Sequence, residues 1–493
     1  MTTTAYDLAQ DGPGLTKRAM VRSLVGLLIA EGLLLTCLSA GLIGVYAGAL
    51  VVVILMYAVL VEHPSPAFFL ALIPISQPLA IPFGSRTIGI SAEFIVIPVL
   101  ALHVVVNRLR AGDLSIKHRD IAAAALAFLV VATVSLLRGI SVVGMSEAAP
   151  GIGTLYNFIL AFLLFFILTD WLENSDSLPA VVTGLMASFL LISVIAIVEY
   201  ALHTPVVGFT FRVTSLFGTL FWKEGGGNPN VFGTYLMMMS LLAVVMRSQF
   251  HGWRRLLTTL SIPLGLVALF FTSSRSSAVG FLLSLLVVSG VSWRKIVLWS
   301  LPVIAAVYAV VQSIPRLANR LQSIYQVATD PKVIKFFATV NPKFLDWGYI
   351  HYFGLGGYNI DLVAGAMRIP YWITGVKIMS EYPVLGIGLK MNEHYGPWPT
   401  SENFLLDLGI MTGFIGLITV GWFVVRLLGL VGRAGRAAST TMEKSFVRAY
   451  RASLLGCLVV SLTGSVFFSL KLLLFISVLT SFVWVIGSKE PAR

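Results

Sequence analysis

RLRAGDLSIKHRDIAAAALAFLVVATVSLL (108–137) contains the pattern that decides the fold: a short cluster of bases, then an apolar run at 121–137 with no charge. A run of that length reaches the lower limit of a membrane-spanning helix, which needs about 17–20 apolar residues. Working outward, the same alternation repeats along the chain, near 22–41, 43–62, 66–82, 88–106, 121–137, 152–173, 179–203, 230–247, 255–272, 277–291, 294–312, 403–427, 447–468 and 470–488. The weakest are 66–82, broken by Pro74, Pro78 and Pro82, and the short 277–291. The expected fold is an all-α polytopic membrane protein with about 12–14 transmembrane helices.

Composition supports this reading. Of 493 residues, 57% are hydrophobic and 11% are charged, where a soluble domain carries about 25% charged residues. That charge cannot cover the surface of a soluble protein of this length. The net charge of +12, from 34 Lys and Arg against 22 Asp and Glu, raises the question of nucleic acid. The bases, however, sit in short clusters between apolar runs, as topology determinants do, so no nucleic-acid partner is expected. Cys37 and Cys457 lie in separate apolar runs and offer neither a disulfide framework nor a metal site. The opening MTTTAYDLAQDGPGLTKRAM is polar for too long to be a standard signal peptide.

The bases orient the chain. Lys17, Arg18 and Arg22 place the N-terminus inside. Every second loop is then basic, with Arg108, Arg110, Lys117 and Arg119, then Arg247, Arg254 and Arg255, then Arg294 and Lys295, then Arg433, Arg436 and Lys444. The positive-inside rule puts both termini in the cytoplasm. Residues 313–402 then face outward as one large loop domain, between an N-terminal bundle at 1–312 and C-terminal helices at 403–493. The loop holds QSIPRLANRLQSIYQ (312–326), read as an amphipathic helix, and the aromatic- and Gly-rich DWGYIHYFGLGGYNIDL (346–362). Those aromatics suit an interfacial belt or a sugar-stacking platform.

Charges at the outer ends of spans answer to neither topology nor solubility, and they are the candidates for chemistry. Arg212, Arg275 and Arg368 lie there, followed by Lys377 and Lys390. One such arginine can simply reach a lipid headgroup, whereas three on one face suit a phosphate or diphosphate. Gly225–Gly226–Gly227–Asn228–Pro229–Asn230 opens the eighth span: Asn228 or Asn230 can cap a helix that Pro229 starts, and a helix N-terminus favours an anion. A plain turn explains the same residues. Glu402, in PWPTSENFLLDLGIMTGFIG, is the leading acid/base candidate, next to Asn403. With Ser401 or Thr400 as N-cap, it would instead be an early-turn residue favoured by the helix dipole. His394, in MNEHYGPWP, is a second candidate base. Glu31, Glu93, Glu199 and Asp407 are ionisable residues inside spans, and Asp407 is one turn from Asn403. GIMTG (409–413), continued by Gly416, reads as a packing surface of small residues. Neither a metal-site motif nor a P-loop nor a GxSxG elbow is present, so no metal or cofactor is expected.

FRVTSLFG (211–218), GGGNPNVFGTYL (225–236), FTSSRSSAVGFLLSLL (271–286), RIPYWITGVKIMSEYPVLGIGL (368–389) and SENFLLDLGIMTGFIGL (401–417) together resemble the O-antigen ligase/polymerase superfamily, the Wzy-type polymerases and lipopolysaccharide O-antigen ligases. The resemblance covers about 205–425. It implies a GT-C-like, metal-independent, inverting glycosyltransferase of the bacterial inner membrane, with its site and the large loop domain in the periplasm. The implied donor is an undecaprenyl-diphosphate-linked glycan. The implied acceptor is a glycan or a lipid-linked unit, among membrane lipids, with a chain-length regulator left open as a further partner. By the same resemblance Arg212 and Arg275, with Arg368, hold the leaving diphosphate, while Glu402 or His394 acts as base. Asn403, Asn228, Asn230, Lys377 and Lys390 are then substrate-binding candidates. The ligases usually carry His directly before the Asn, where this chain has Glu402. That departure puts a polymerase of surface-polysaccharide repeat units first, a ligase acting on lipid A-core second, and a small-solute transporter third.

Overall fold

The computed structural model describes residues 79–83, 86–90, 93–112, 119–172, 177–202, 229–272, 274–290, 368–391 and 401–489. Within them a two-stranded antiparallel hairpin, β1 (Leu79–Phe83) and β2 (Arg86–Ile90), precedes the helices. These are α1 (Glu93–Ala111), α2 (Arg119–Val143), α3 (Met145–Trp171), α4 (Leu178–Leu202), α5 (Pro229–Met246), α6 (Gly252–Phe271) and α7 (Arg275–Val288), followed by α8 (Arg368–Glu381), α9 (Phe404–Ala437), α10 (Thr441–Ser461) and α11 (Leu470–Gly487). The all-α membrane class holds, with the hairpin as its exception. The end of the expected span 66–82 falls in β1, and the expected span 88–106 starts later, as helix α1. Spans 22–41, 43–62 and 294–312, and most of the loop domain, lie outside the described residues. Seven of the described helices are long and apolar enough to cross a membrane, and α7, at 14 residues, is a shorter apolar helix.

Two kinds of helix surface account for the packing. α5 is apolar on all sides, and every residue from Val231 to Ala243 is buried; such a helix has to sit inside a bundle. It packs against α6, α7 and α10. The peripheral helices instead expose Leu102, Leu126, Leu137, Phe270, Ile418 and Val425, a face suited to lipid and costly in water. Sequence-distant pairs close the bundle: α2 on α9, α3 on α11, α4 on α6 and α7 on α10. Between α7 and α10, small residues allow the backbones to approach closely. A Cβ on Gly280 would stand 3.1 Å from Gly456 O, and Ser284 Oγ donates to Ala452 O at 2.8 Å.

α9 is broken at Gly413 (φ 66, ψ −167), where a Cβ would collide with Val384 O. A break inside a bilayer frees backbone groups that need partners. The segment after α8 supplies them: Ile387 N–H donates to Ile410 O (2.9 Å), Gly388 N–H to Met411 O (3.1 Å), and Phe414 N–H to Pro383 O (2.7 Å). Ser135 Oγ of α2 also donates to Met411 O, at 2.5 Å. The 409–413 run, expected to be a packing surface, is therefore where the helix opens. Gly409 does pack, against Met379 of α8.

The two ends of the bundle differ. One gathers the bases: Arg108 pairs with Asp170, Lys489 with Glu443, and Arg426 with Asp120. The same end carries Arg247, Arg254, Arg433, Arg436 and Lys444 and the capping box of Thr440 and Glu443 that opens α10. The other end gathers the N-termini of α5, α7, α8, α9 and α11.

Candidate active site at the base-poor end

The turn between α10 and α11, residues 462–469, organises this end. Ser465 Oγ donates to Asp407 Oδ2 on α9. A Cβ on Gly464 would lie 3.6 Å from the Asn230 side chain at the start of α5. Asn230 Oδ1 accepts from Ser274 Oγ (3.0 Å), and Ser277 Oγ donates to Asn230 O (3.4 Å), which ties in α7. Trp372 Nε1, one turn into α8, donates to Ser401 O at 3.1 Å, just before α9. Four helix N-termini are thus stitched to one another and followed by a fifth, that of α11. Each N-terminus carries unsatisfied N–H groups and a partial positive charge, so their convergence favours an anion.

Local chemistry explains each start. Pro229 occupies the first position of α5, where its missing N–H costs nothing. Asn230 is therefore not the cap; its side chain serves the α7 contact instead. Ser274 caps α7, accepting from Ser277 N–H, so Arg275 is the first helical residue and is exposed. α9 is capped by Asn403, whose side chain accepts from Leu406 N–H at 3.1 Å. The expected cap at Ser401 or Thr400 is thereby replaced, and Glu402 lies outside the helix rather than in its first turn. A cap role for Glu402 goes with it, and Asn403, expected to bind substrate, uses its side-chain oxygen for the cap.

Among the described residues, the non-glycine residues with left-handed backbone are Glu402 (φ 55) and Lys390 (φ 54), and both belong to this end. Such conformations cost about 1–3 kcal/mol and persist where surrounding structure over-determines them. Lys390 lies between the buried Leu389 and Met391, in a turn closed by Met391 N–H donating to Gly388 O at 3.3 Å. Its ammonium sits 4.7 Å from the centroid of the Phe468 ring, in the same 462–469 turn, and within electrostatic reach of Asp407. Arg138 of α2 holds the loop that carries Lys390. Its Nη1 donates to Gly386 O at 2.6 Å, and its guanidinium lies 5.2 Å from the Tyr382 ring centroid.

This end of the bundle therefore carries Glu402, Asn403, Lys390, Arg275 and Asn230. Arg368 opens α8 one turn before Trp372 and so belongs to the same end by its backbone. Lys377 does not join. Trp372, Gly375 and Met379 face α9, and at about 100° per residue position 377 points the other way. Arg212, Asn228 and His394 lie outside the described residues. Sequence reasoning missed Ser465, Gly464 and Phe468, because TGSVFFS (463–469) reads as the junction of two spans. It also missed Arg138, whose only signal was a base in a loop that topology leaves poor in bases.

Residues 260–421 match the family model described as O-antigen ligase. This match supports the O-antigen ligase/polymerase superfamily for the chain. The matched stretch covers about a third of the sequence and runs from α6 through the break in α9. It includes Arg275, Arg368, Lys390 and the Glu402–Asn403 pair. No curated protein matches the chain. With the apolar helices, the match supports an O-antigen ligase/polymerase-type function in a multi-pass membrane protein. Asn230, Ser465 and Arg138, at the same end of the bundle, lie outside the matched stretch.

Proposed function

We propose that this chain is a polymerase that joins polyprenyl-diphosphate-linked oligosaccharide units into a surface polysaccharide at the outer face of a bacterial inner membrane. The observation that carries the reading is that Glu402 and Lys390, both left-handed and both inside the family-matched stretch, lie at the end of the bundle rich in helix N-termini. In this reading the acceptor hydroxyl passes its proton to Glu402 and its oxygen attacks the anomeric carbon. The bond from that carbon to the diphosphate oxygen breaks, and the anomeric centre inverts. The leaving diphosphate is received by Arg275 and Lys390, with Arg368 and Arg212 as further cationic partners, and by helix N-termini already oriented before reaction. The donor's own diphosphate linkage supplies the energy, so the reaction calls for no metal and no nucleotide. The base-rich end faces the cytoplasm, with both termini, by the positive-inside rule. Residues 313–402 form the loop on the periplasmic side, and 383–391 fold back from it against α2 and α9.

A ligase is the second reading, favoured by the description of the matched family model itself. It differs only in acceptor, a lipid A-core or similar molecule instead of a second lipid-linked unit. Glycan profiling of a deletion strain separates the two. Accumulated single lipid-linked units with no polymer support polymerisation. Full-length polymer retained on its lipid carrier shows a ligase. An unchanged glycan pool removes both and favours a small-solute carrier.

A further inference from the structure

Glu402 is held in a left-handed conformation that glutamate rarely adopts (φ 55), and its neighbours account for it. On the preceding side, Ser401 is committed three times. Its N–H donates to Asp407 Oδ1 at 2.5 Å, its carbonyl accepts from Trp372 Nε1 at 3.1 Å, and its hydroxyl donates to Asn403 O (3.1 Å) and accepts from Asn403 N–H (3.3 Å). On the following side, Asn403 is locked by capping α9. Asp407 is at the centre of this arrangement: wholly buried, with one oxygen on Ser401 N–H and the other on Ser465 Oγ. A carboxylate with both oxygens taken by the protein is poorly placed to meet substrate. It is well placed to hold the peptide before Glu402 against the turn that closes the site.

We propose that Asp407 is a positioning residue for Glu402, with Ser465, outside the family-matched stretch, as its second anchor. The inference rests on the reading of Glu402 as the acceptor-side base. Asp407 fixes the Ser401 peptide, that peptide and the Asn403 cap fix the backbone of Glu402, and the carboxylate of Glu402 is presented at the end of the bundle. Ser465 makes the turn between α10 and α11 part of the same support, so the C-terminal helices contribute to catalysis through geometry rather than through contact with substrate.

The test uses the full-length protein in nanodiscs, with the lipid-linked glycan fraction that accumulates in a deletion strain as the probe. D407A is expected to lower turnover by about 100-fold, the loss that a displacement of roughly 1 Å brings to a catalytic group. The half-saturating probe concentration should stay unchanged. Amide exchange at 401–403 should rise in D407A while exchange elsewhere in α9 and α11 does not. D407N keeps an acceptor for Ser401 N–H and should lose only a few-fold; S465A should fall between the two. In the double variant, D407A should add nothing to the loss already caused by E402Q, because both act through one group. If D407A fails to fold, S465A and D407N carry the same comparison with E402Q. Independent, multiplicative losses, or unchanged exchange at 401–403, would overturn the positioning role while leaving Glu402 as base. Wild-type turnover in E402Q would instead overturn the reading of Glu402, and this inference with it.

Discussion

The two ends of the bundle use their polar groups in opposite ways. At the base-rich end, charges meet side chain to side chain, as Arg108 with Asp170 and Lys489 with Glu443, and many arginines stand exposed. At the other end, side chains bind the backbone of distant elements. Arg138 holds Gly386 O, Trp372 holds Ser401 O, Asp407 holds Ser401 N–H, and Ser135 holds Met411 O. The exposed bases of the first end set topology and tolerate change, whereas Glu443 is buried within its pair with Lys489. The second arrangement fixes backbone positions, and it holds the left-handed Lys390 and Glu402. The proposed chemistry, which places a base and receives a diphosphate, calls for the second kind.

Substitutions should separate the ends, and the largest effect belongs to Glu402. E402Q should reduce polymer formation by about 10²–10⁴-fold, the usual contribution of a general base, read as polymer per cell at matched protein level. E402H, which restores the residue usual in O-antigen ligases, should recover part of that loss. Arg275 comes next. R275A should lower the rate by about 10²–10³-fold through lost stabilisation of the leaving group, without lowering the amount of folded protein in size-exclusion chromatography. G413A acts on the fold that carries the site. An alanine at φ 66, ψ −167 occupies a region open essentially to glycine and is strained by about 1–3 kcal/mol, and its Cβ would collide with Val384 O. The amount of monodisperse protein should fall with activity, in proportion. The base-rich end should respond least. T440A removes a capping box and should cost about 1 kcal/mol of stability, seen as a lower unfolding temperature with polymer yield retained. Equal losses from T440A and R275A would erase the distinction between the ends.

How much of this was legible in the sequence follows from the length scale of each signal. Helix α2 was plain, because an apolar run of span length beside clustered bases has few other readings in a membrane protein. The α5 start at Pro229 was legible as a local motif, whereas the span expected at 277–291 starts earlier, at Arg275 behind a Ser274 cap. The break in α9 was not. Small residues at 409–413 serve close packing and helix opening equally well, and only the docking of 383–388 from another segment decides between them. The cap at Asn403 lay two residues beyond the cap read from SEN, since Ser, Glu and Asn offer competing registers. The α10–α11 turn was invisible as a site, because Ser465 gains its meaning from Asp407, 58 positions earlier. The hairpin at 79–90 was read as parts of two spans, since its apolar residues carry no period that separates strand from helix over so few positions.

The central claim is that the base-poor end performs the chemistry, and one strain comparison tests it directly. A deletion strain would be complemented in parallel with wild type, E402Q and R433Q, and its lipid-linked and polymeric glycans profiled at equal expression. The account predicts single lipid-linked units without polymer for E402Q and wild-type polymer for R433Q. Wild-type polymer from E402Q, or its loss in R433Q with folded protein still present, would contradict it.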